Sequence, residues 1–202
     1  NLGTIDFVST VNGAQALVVN TGGLTIFRDD VGAAPGAALA SLTTDMAGTT
    51  QLHAGTVTTT GAQTYNDNVT LSADTVLNAD ALTFNGTVAG AFALTANVAN
   101  ATTFGDAVGD TVSVASLTTD ASGTTVLNGG SVTTTGAQTY GDAVTLGADT
   151  TLSSTNLGTI DFVSTVNGAQ ALVVNTGGLT IFRDDVGAAP GAALASLTTD
   201  MA

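Results

Sequence analysis

The sequence predicts an all-β fold, a right-handed parallel β-solenoid, and three observations lead to this prediction. A long segment is repeated without change, shorter strand-like phrases recur about every 20 residues, and the composition favours strands over helices. Internal repeats of this kind are typical of proteins that stack one small unit on the next. Residues 1–202 are therefore expected to form a single continuous solenoid.

The coarse repeat is 155 residues long. Residues 1–47 recur as residues 156–202 without a single difference. The repeat divides into two half-repeats, residues 41–115 and 116–195, and no linker composition separates them. Each half-repeat opens with the same phrase, Ser-Leu-Thr-Thr-Asp, which begins at Ser41, Ser116 and again at Ser196.

A finer period lies inside each half-repeat. An apolar residue opens a short strand, a turn follows, and the plan begins again 15 to 25 residues later. Eight such steps fill the repeat, and we take each step as one coil of about 20 residues. Coils stack at the strand spacing of about 4.8 Å, so eight coils predict a rise of about 38 Å per repeat. In the second half-repeat the four steps begin at Leu117, Val132, Leu152 and Leu172, and the following step begins at Leu197.

The composition supports strands. Thr makes up about a fifth of the chain, whereas Glu, Lys and Cys are absent. Branched residues pack well on a pleated sheet, and the missing straight-chain residues are the good helix formers. Turn pairs such as Asn85-Gly86 and Asn128-Gly129 tolerate the positive φ of tight corners.

The charge excludes some classes of partner. The formal net charge is −14, and Arg28 and Arg183 are the two cationic residues. Nucleic-acid binding needs clustered Lys and Arg to neutralise phosphates, so it is not expected. Membrane insertion is not expected either, because no apolar run reaches the roughly 18 residues of a spanning helix.

The most charged point of the repeat is Arg28-Asp29-Asp30, which recurs at residues 183–185. One interpretation is a polysaccharide-cleaving centre that uses an Arg base and Asp-bound calcium. The other is an exposed corner where the Arg offsets two carboxylates. Acid–base catalysis also needs a cleft and positioned partners. We therefore predict no catalytic residue, no enzyme activity and no cofactor.

Calcium remains a candidate ligand. The residues proposed for it are Asp29, Asp30, Asp184 and Asp185, because carboxylates and turn carbonyls suit this ion. The alternative is that Asp in a turn hydrogen-bonds to nearby backbone. The same choice applies to the turn residues Asp45, Asp120, Asp142, Asp149 and Asp161.

Three other residue types have expected structural roles. The single histidine, His53, has Asn128 as its counterpart, so no metal role is expected. Tyr65 and Tyr140 are expected to pack in the core or at a corner. Pro35 and Pro190 lie in small-residue segments that we expect to bulge from the rod as loops.

The sequence resembles the repeat regions of very large secreted bacterial proteins of the filamentous haemagglutinin type. The resemblance rests on the short coil period, the phrasing VTTTGAQTY and DAVTLGADTTL between Val132 and Leu152, the absence of Cys, and the near absence of Lys and Arg. It covers essentially the whole sequence. It implies an exported adhesin with a right-handed parallel β-helix shaft, and it carries over no binding residue.

The expected function is therefore that of a structural shaft, an adhesin stalk or fibre segment, outside the cell or on a bacterial surface. Its partners would be other copies of the repeat, stacked end to end or side by side. One alternative is a self-assembling extracellular matrix filament. Another is a polysaccharide-active β-helix enzyme.

Overall fold

The chain folds as a parallel β-solenoid of about nine coils, each of roughly 21 residues, which confirms the predicted fold class. The computed structural model describes residues 2–199. Within them every paired strand is parallel to its neighbours, and no helix is present. Handedness stays a prediction, supported by the right-handed rule for parallel crossovers.

The strands stack on three sides of the solenoid, named here faces A, B and C in the order in which the chain visits them. Face A consists of a five-stranded and a four-stranded sheet, which Val108 joins into one ladder by pairing with Val88 on one side and Val132 on the other. Its strands are β1 (Ile5–Phe7), β3 (Leu24–Phe27), β5 (Thr49–Leu52), β8 (Asn68–Leu71), β11 (Val88–Ala89), β16 (Ser131–Thr134), β19 (Thr150–Ser154), β22 (Ala171–Thr176) and β24 (Ser196–Thr199).

Faces B and C are likewise continuous ladders. The strands of face B are β6 (Thr56–Thr58), β9 (Thr75–Ala79), β12 (Ala93–Val98), β14 (Ser116–Thr119), β17 (Gln138–Tyr140), β20 (Ile160–Phe162) and β23 (Thr180–Phe182). The strands of face C are β2 (Ala16–Val19), β4 (Ser41–Thr44), β7 (Gln63–Tyr65), β10 (Leu82–Phe84), β13 (Ala101–Phe104), β15 (Thr124–Leu127), β18 (Ala143–Leu146) and β21 (Val166–Asn167).

Burial alternates along the strands. In β4, Leu42 and Thr44 are buried while Ser41 and Thr43 are half-buried, and β14 repeats the pattern. Successive side chains of a strand point to opposite faces, so one residue in two enters the core. The core is thus a column along the solenoid axis, and each coil completes the packing of the coils above and below it.

Aromatic rings form part of this column. Tyr65, Phe84 and Phe104 stack on consecutive coils of face C, with ring centroids 5.1 and 5.6 Å apart. Tyr140 and Phe162 repeat the arrangement on face B at 5.2 Å. Both tyrosines are fully buried, which confirms their packing role.

The 155-residue repeat spans seven and a third coils, where the spacing had predicted about eight. Strand β1 lies on face A of the first coil, and its identical copy β20 lies on face B of the eighth. The difference comes from the shortest steps of the sequence pattern. Leu117 is on face B and Val132 is on face A of the next coil, so this step covers two sides of the solenoid and not three. At about 4.8 Å per coil, the rise per repeat becomes about 35 Å.

Candidate functional site

The charged point at Arg28 is an ion pair between neighbouring coils. Arg28 Nε donates to Asp6 Oδ1 at 2.8 Å, and its Nη2 donates to Asp6 Oδ2 at 2.9 Å. The hydrogen bonds to the carboxylate raise the pKa of Arg28, so the guanidinium stays charged. The copy at Arg183 pairs with Asp161 in the same way. Both guanidinium groups are thus engaged in ion pairs with a carboxylate of the preceding coil.

The two carboxylates beside Arg28 face other partners. Asp29 Oδ1 accepts the Asp30 backbone N–H at 2.8 Å, and Asp30 Oδ1 accepts the Thr56 N–H of the next coil at 2.8 Å. The sequence interpretation, in which the Arg offsets both carboxylates, therefore differs from the structure: Arg28 binds Asp6, one coil earlier. In the copy, Asp184 Oδ1 accepts the Asp185 N–H.

The other corner carboxylates also bind backbone. Asp74 and Asp149 each accept an N–H from the following coil, at 2.9 and 2.8 Å, while Asp45 and Asp120 accept one from the preceding coil at 3.1 Å. Among residues 2–199, no three His, Cys, Asp or Glu side chains lie together as a metal would require. These four Asp residues thus tie one coil to the next through hydrogen bonds to backbone.

An open groove of about 400 Å³ lies on the surface of the solenoid. Amide side chains bridge coils along it: Asn97 Nδ2 donates to Asn78 Oδ1 at 3.0 Å, and Asn78 Nδ2 donates to Thr58 Oγ1 at 3.2 Å. Asn100 Nδ2 donates to Asp80 Oδ1 at 2.7 Å. The groove is lined by Thr59, Thr60, Asn78, Ala79, Asp80, Asn97, Val98, Ala99, Asp120 and Ser122. No Lys, Arg or His is among these lining residues.

No protein-family model, curated protein or solved structure matches the chain. Among the described residues, no helix is long and apolar enough to cross a membrane.

Two corners of the solenoid enclose a buried carboxylate. One of these corners lies between faces C and A. Asp67 is only 4% exposed, and its carboxylate accepts hydrogen bonds from Thr44 Oγ1 at 2.7 Å and Thr50 Oγ1 at 2.8 Å. Burial raises the pKa of Asp67, and the two threonine hydrogen bonds partly oppose that rise.

The same cluster recurs in the second half-repeat, now at a corner between faces B and C. Asp142 Oδ1 accepts from Thr119 Oγ1 at 2.9 Å and from Thr125 Oγ1 at 2.7 Å. Burial raises the pKa of Asp142 as well. Sequence reasoning placed Asp142 among the turn carboxylates and did not single out Asp67. The available signal was the recurring order Thr, Thr, Asp at one spacing in both half-repeats.

The remaining residues occupy structural positions. His53 is exposed, and its backbone N–H donates to the Phe27 carbonyl at 2.9 Å. The Tyr65 hydroxyl donates to Gln63 Oε1 at 3.2 Å inside the core, and burial raises the pKa of this tyrosine. Pro35 and Pro190 lie in exposed loops, as predicted. Most of the polar side-chain contacts described above join one coil to the next, whereas those of Asp29, Tyr65 and Asp184 are local.

Proposed function

We propose that the chain is a segment of the structural shaft of a secreted or cell-surface repeat protein, an adhesin stalk or fibre segment, without enzyme activity. The observation that carries this proposal is the continuity of the three ladders through the repeat boundary. Strand β19 (Thr150–Ser154) ends one repeat, and it pairs with β22 (Ala171–Thr176) of the next through five consecutive residues. A copy of the repeat therefore adds length without adding a joint.

The ladders account for the stiffness that a shaft needs. Hydrogen bonds between coils run along the axis on three sides, so bending in any direction must stretch bonds on at least one face. The side chains add further ties along the axis, such as the Arg28–Asp6 pair and the Asn97–Asn78 pair. Such nearest-neighbour contacts are what stabilise solenoids in general.

The charge supports the same role. A net charge of −14 makes neighbouring rods repel, which favours separate extended shafts over lateral clumping. The absence of cysteine in the sequence means that the ladders and the core must supply the stability that disulfides give many extracellular domains.

The proposal is tested by changing the number of repeats in the encoding gene. Three additional copies of the repeat are expected to lengthen the surface projection by about 106 Å, at 22 coils of about 4.8 Å each. Contour length is measured by negative-stain electron microscopy of the purified polypeptide. An unchanged contour length would contradict the proposal that the repeats form a shaft.

Two other outcomes point to the alternatives. Filaments that dissociate into short polypeptides on a denaturing gel would favour a self-assembling matrix filament. Cleavage of uronate polymers by the purified chain would favour the β-helix enzyme, and its loss in an Arg28→Lys, Arg183→Lys double variant would locate the activity.

A further inference from the structure

The half-repeats 41–115 and 116–195 each contain one insert that interrupts a ladder, and the segment that precedes Ser41 contains another. We define insert 1 as residues 32–38, insert 2 as residues 109–113 and insert 3 as residues 187–193. Val31 pairs with Val57 and Leu39 pairs with Thr59. From Val31 to Leu39 the chain advances eight positions, while the paired residues of the next coil, Val57 and Thr59, are only two positions apart. The additional residues on the first coil therefore cannot pair and must project from the ladder.

Insert 2 is built by the same rule. Val108 pairs with Val132 and Val114 pairs with Thr134, so a step of six faces a step of two. After the insert the ladder resumes at once: the Val114 N–H donates to the Thr133 carbonyl at 3.3 Å, and the Thr135 N–H donates to the Val114 carbonyl at 2.8 Å. The inserts are therefore outgrowths of a coil that is otherwise intact.

All three inserts are anchored to the preceding coil by an equivalent hydrogen bond. Gly13 donates its N–H to the carbonyl of Ala37 in insert 1, Gly90 to that of Val112 in insert 2 and Gly168 to that of Ala192 in insert 3. Each of these bonds measures 3.1 Å. The common anchor fixes each insert against the face from which it projects.

The three inserts project from three different faces. Insert 1 interrupts face B, because its flanking residue Val31 pairs with β6. Insert 2 interrupts face A, between Val88 and Val132. Insert 3 follows Val186, which pairs with Val166 of face C. Successive inserts are separated by three and two-thirds coils, so each half-repeat shifts the insert by one face.

We propose that the repeat places its inserts in a helical arrangement around the shaft, so that successive inserts project from each of the three faces in turn. Along a shaft of tandem repeats, any one face receives an insert every eleven coils, or about every 53 Å. The inserts of a long shaft are then distributed equally over its three faces. The extension to long shafts rests on the proposed function, whereas the phasing is a property of this chain.

The phasing can be tested on the chain itself, because inserts 1 and 3 have the same sequence, within residues 31–40 and 186–195. A Fab fragment raised against that peptide is bound to the full chain, and the complex is imaged by electron microscopy. Two Fab fragments are expected per chain, about 35 Å apart along the axis and pointing in directions that differ by a third of a turn. Two Fab fragments on the same side, or only one per chain, would contradict the helical arrangement of the inserts.

Variants identify each bound Fab. Pro35→Asp is expected to remove the fragment at insert 1 and leave the one at insert 3, and Pro190→Asp should do the reverse. Both prolines are exposed, so the fold is expected to survive, which circular dichroism checks. Loss of both fragments from either single variant would also contradict the proposal. Because the chain is imaged alone, failure here is separate from failure of the repeat-number experiment.

Discussion

Thr44 and Asp67 are joined by a buried hydrogen bond of 2.7 Å between Thr44 Oγ1 and Asp67 Oδ1, although one coil of chain separates them. Thr50, from the opposite side of the same corner, completes the set of threonine donors to this carboxylate. Asp67 is nearly inaccessible, so the hydroxyl groups replace the water that an exposed carboxylate would bind. The hydrogen bonds between the two threonines and Asp67 are therefore expected to stabilise this corner, and their loss should lower the free energy of unfolding.

Replacing Thr50 with Val is expected to destabilise the chain by about 1–3 kcal/mol, because it removes one donor from a buried acceptor while preserving shape. Chemical denaturation followed by circular dichroism measures the free energy of unfolding. Thr43→Val is the matched control. Thr43 lies on the outward side of β4 and is half-buried, so a change within about 0.5 kcal/mol is expected there. Equal effects of the two substitutions would contradict the role of the corner.

The two buried carboxyl groups also predict the direction of a pH effect. Burial raises the pKa of Asp67 and Asp142 in the folded chain above the value of about 3.9 that Asp has when unfolded. The folded state then binds more protons than the unfolded state between the two pKa values. The contribution to stability is fully present below the unfolded pKa and is lost as the pH rises through the folded pKa. The thermal midpoint should therefore increase when the pH is lowered from the neutral range through the folded pKa.

The double variant Asp67→Asn, Asp142→Asn isolates this contribution. Its amides do not titrate, so its thermal midpoint should change less over the same pH range. The other carboxyl groups are common to both proteins and cancel in the comparison. Parallel pH profiles of the two proteins would show that the buried pair does not govern the effect.

The aromatic column predicts a large core effect. Phe84 lies between the rings of Tyr65 and Phe104 and is fully buried, so Phe84→Ala is expected to cost about 3–5 kcal/mol. Phe92→Ala provides the comparison, because Phe92 is 37% exposed just before β12. We expect that change to cost much less. Denaturant titrations of both variants give the two values, and a loss at Phe84 no larger than at Phe92 would refute the stacked core.

The inserts predict a strict requirement for glycine at one backbone position. Gly109 begins insert 2 with a φ of 74°, and a Cβ at this position would collide with the Thr133 carbonyl of the next coil. Gly109→Ala should therefore destabilise the chain by more than the roughly 1 kcal/mol of backbone strain alone. Gly55→Ala is the control, since a Cβ there would meet Asp30 Oδ1 at an ordinary 3.5 Å. The thermal midpoint of Gly55→Ala is expected to stay close to that of the parent.

The sequence was sufficient to predict the fold class, because repeat length and Thr-rich strands depend on local composition and spacing. It was not sufficient for the coil count. Leu42 and Val57 look like equivalent strand positions of consecutive coils, yet they lie on faces C and B. Which of three faces a strand joins depends on its pairing with the coils above and below, and this pairing is absent from the local pattern.

The candidate sites show the same limit. Asp6 and Arg28 are distant in the sequence, and their pairing follows only when β1 is stacked beside β3. The neighbouring Asp29 and Asp30 were the obvious partners in sequence. The cluster around Asp67 was missed for a related reason, since Asp in a corner is normally exposed. Only the stacked coils bring two threonine hydroxyls to its carboxylate.

The central claim, that consecutive coils stack at one strand spacing, is tested most directly by distances along face C. The chain has no cysteine, so pairs of spin labels can be attached to introduced cysteines at outward positions of that face: Thr43 with Val126, Thr43 with Thr145, and Val18 with Asn167. These pairs are four, five and seven coils apart. Electron–electron resonance should give separations of about 19, 24 and 34 Å, increasing by about 4.8 Å per coil. Distances that do not increase with coil number would contradict the solenoid.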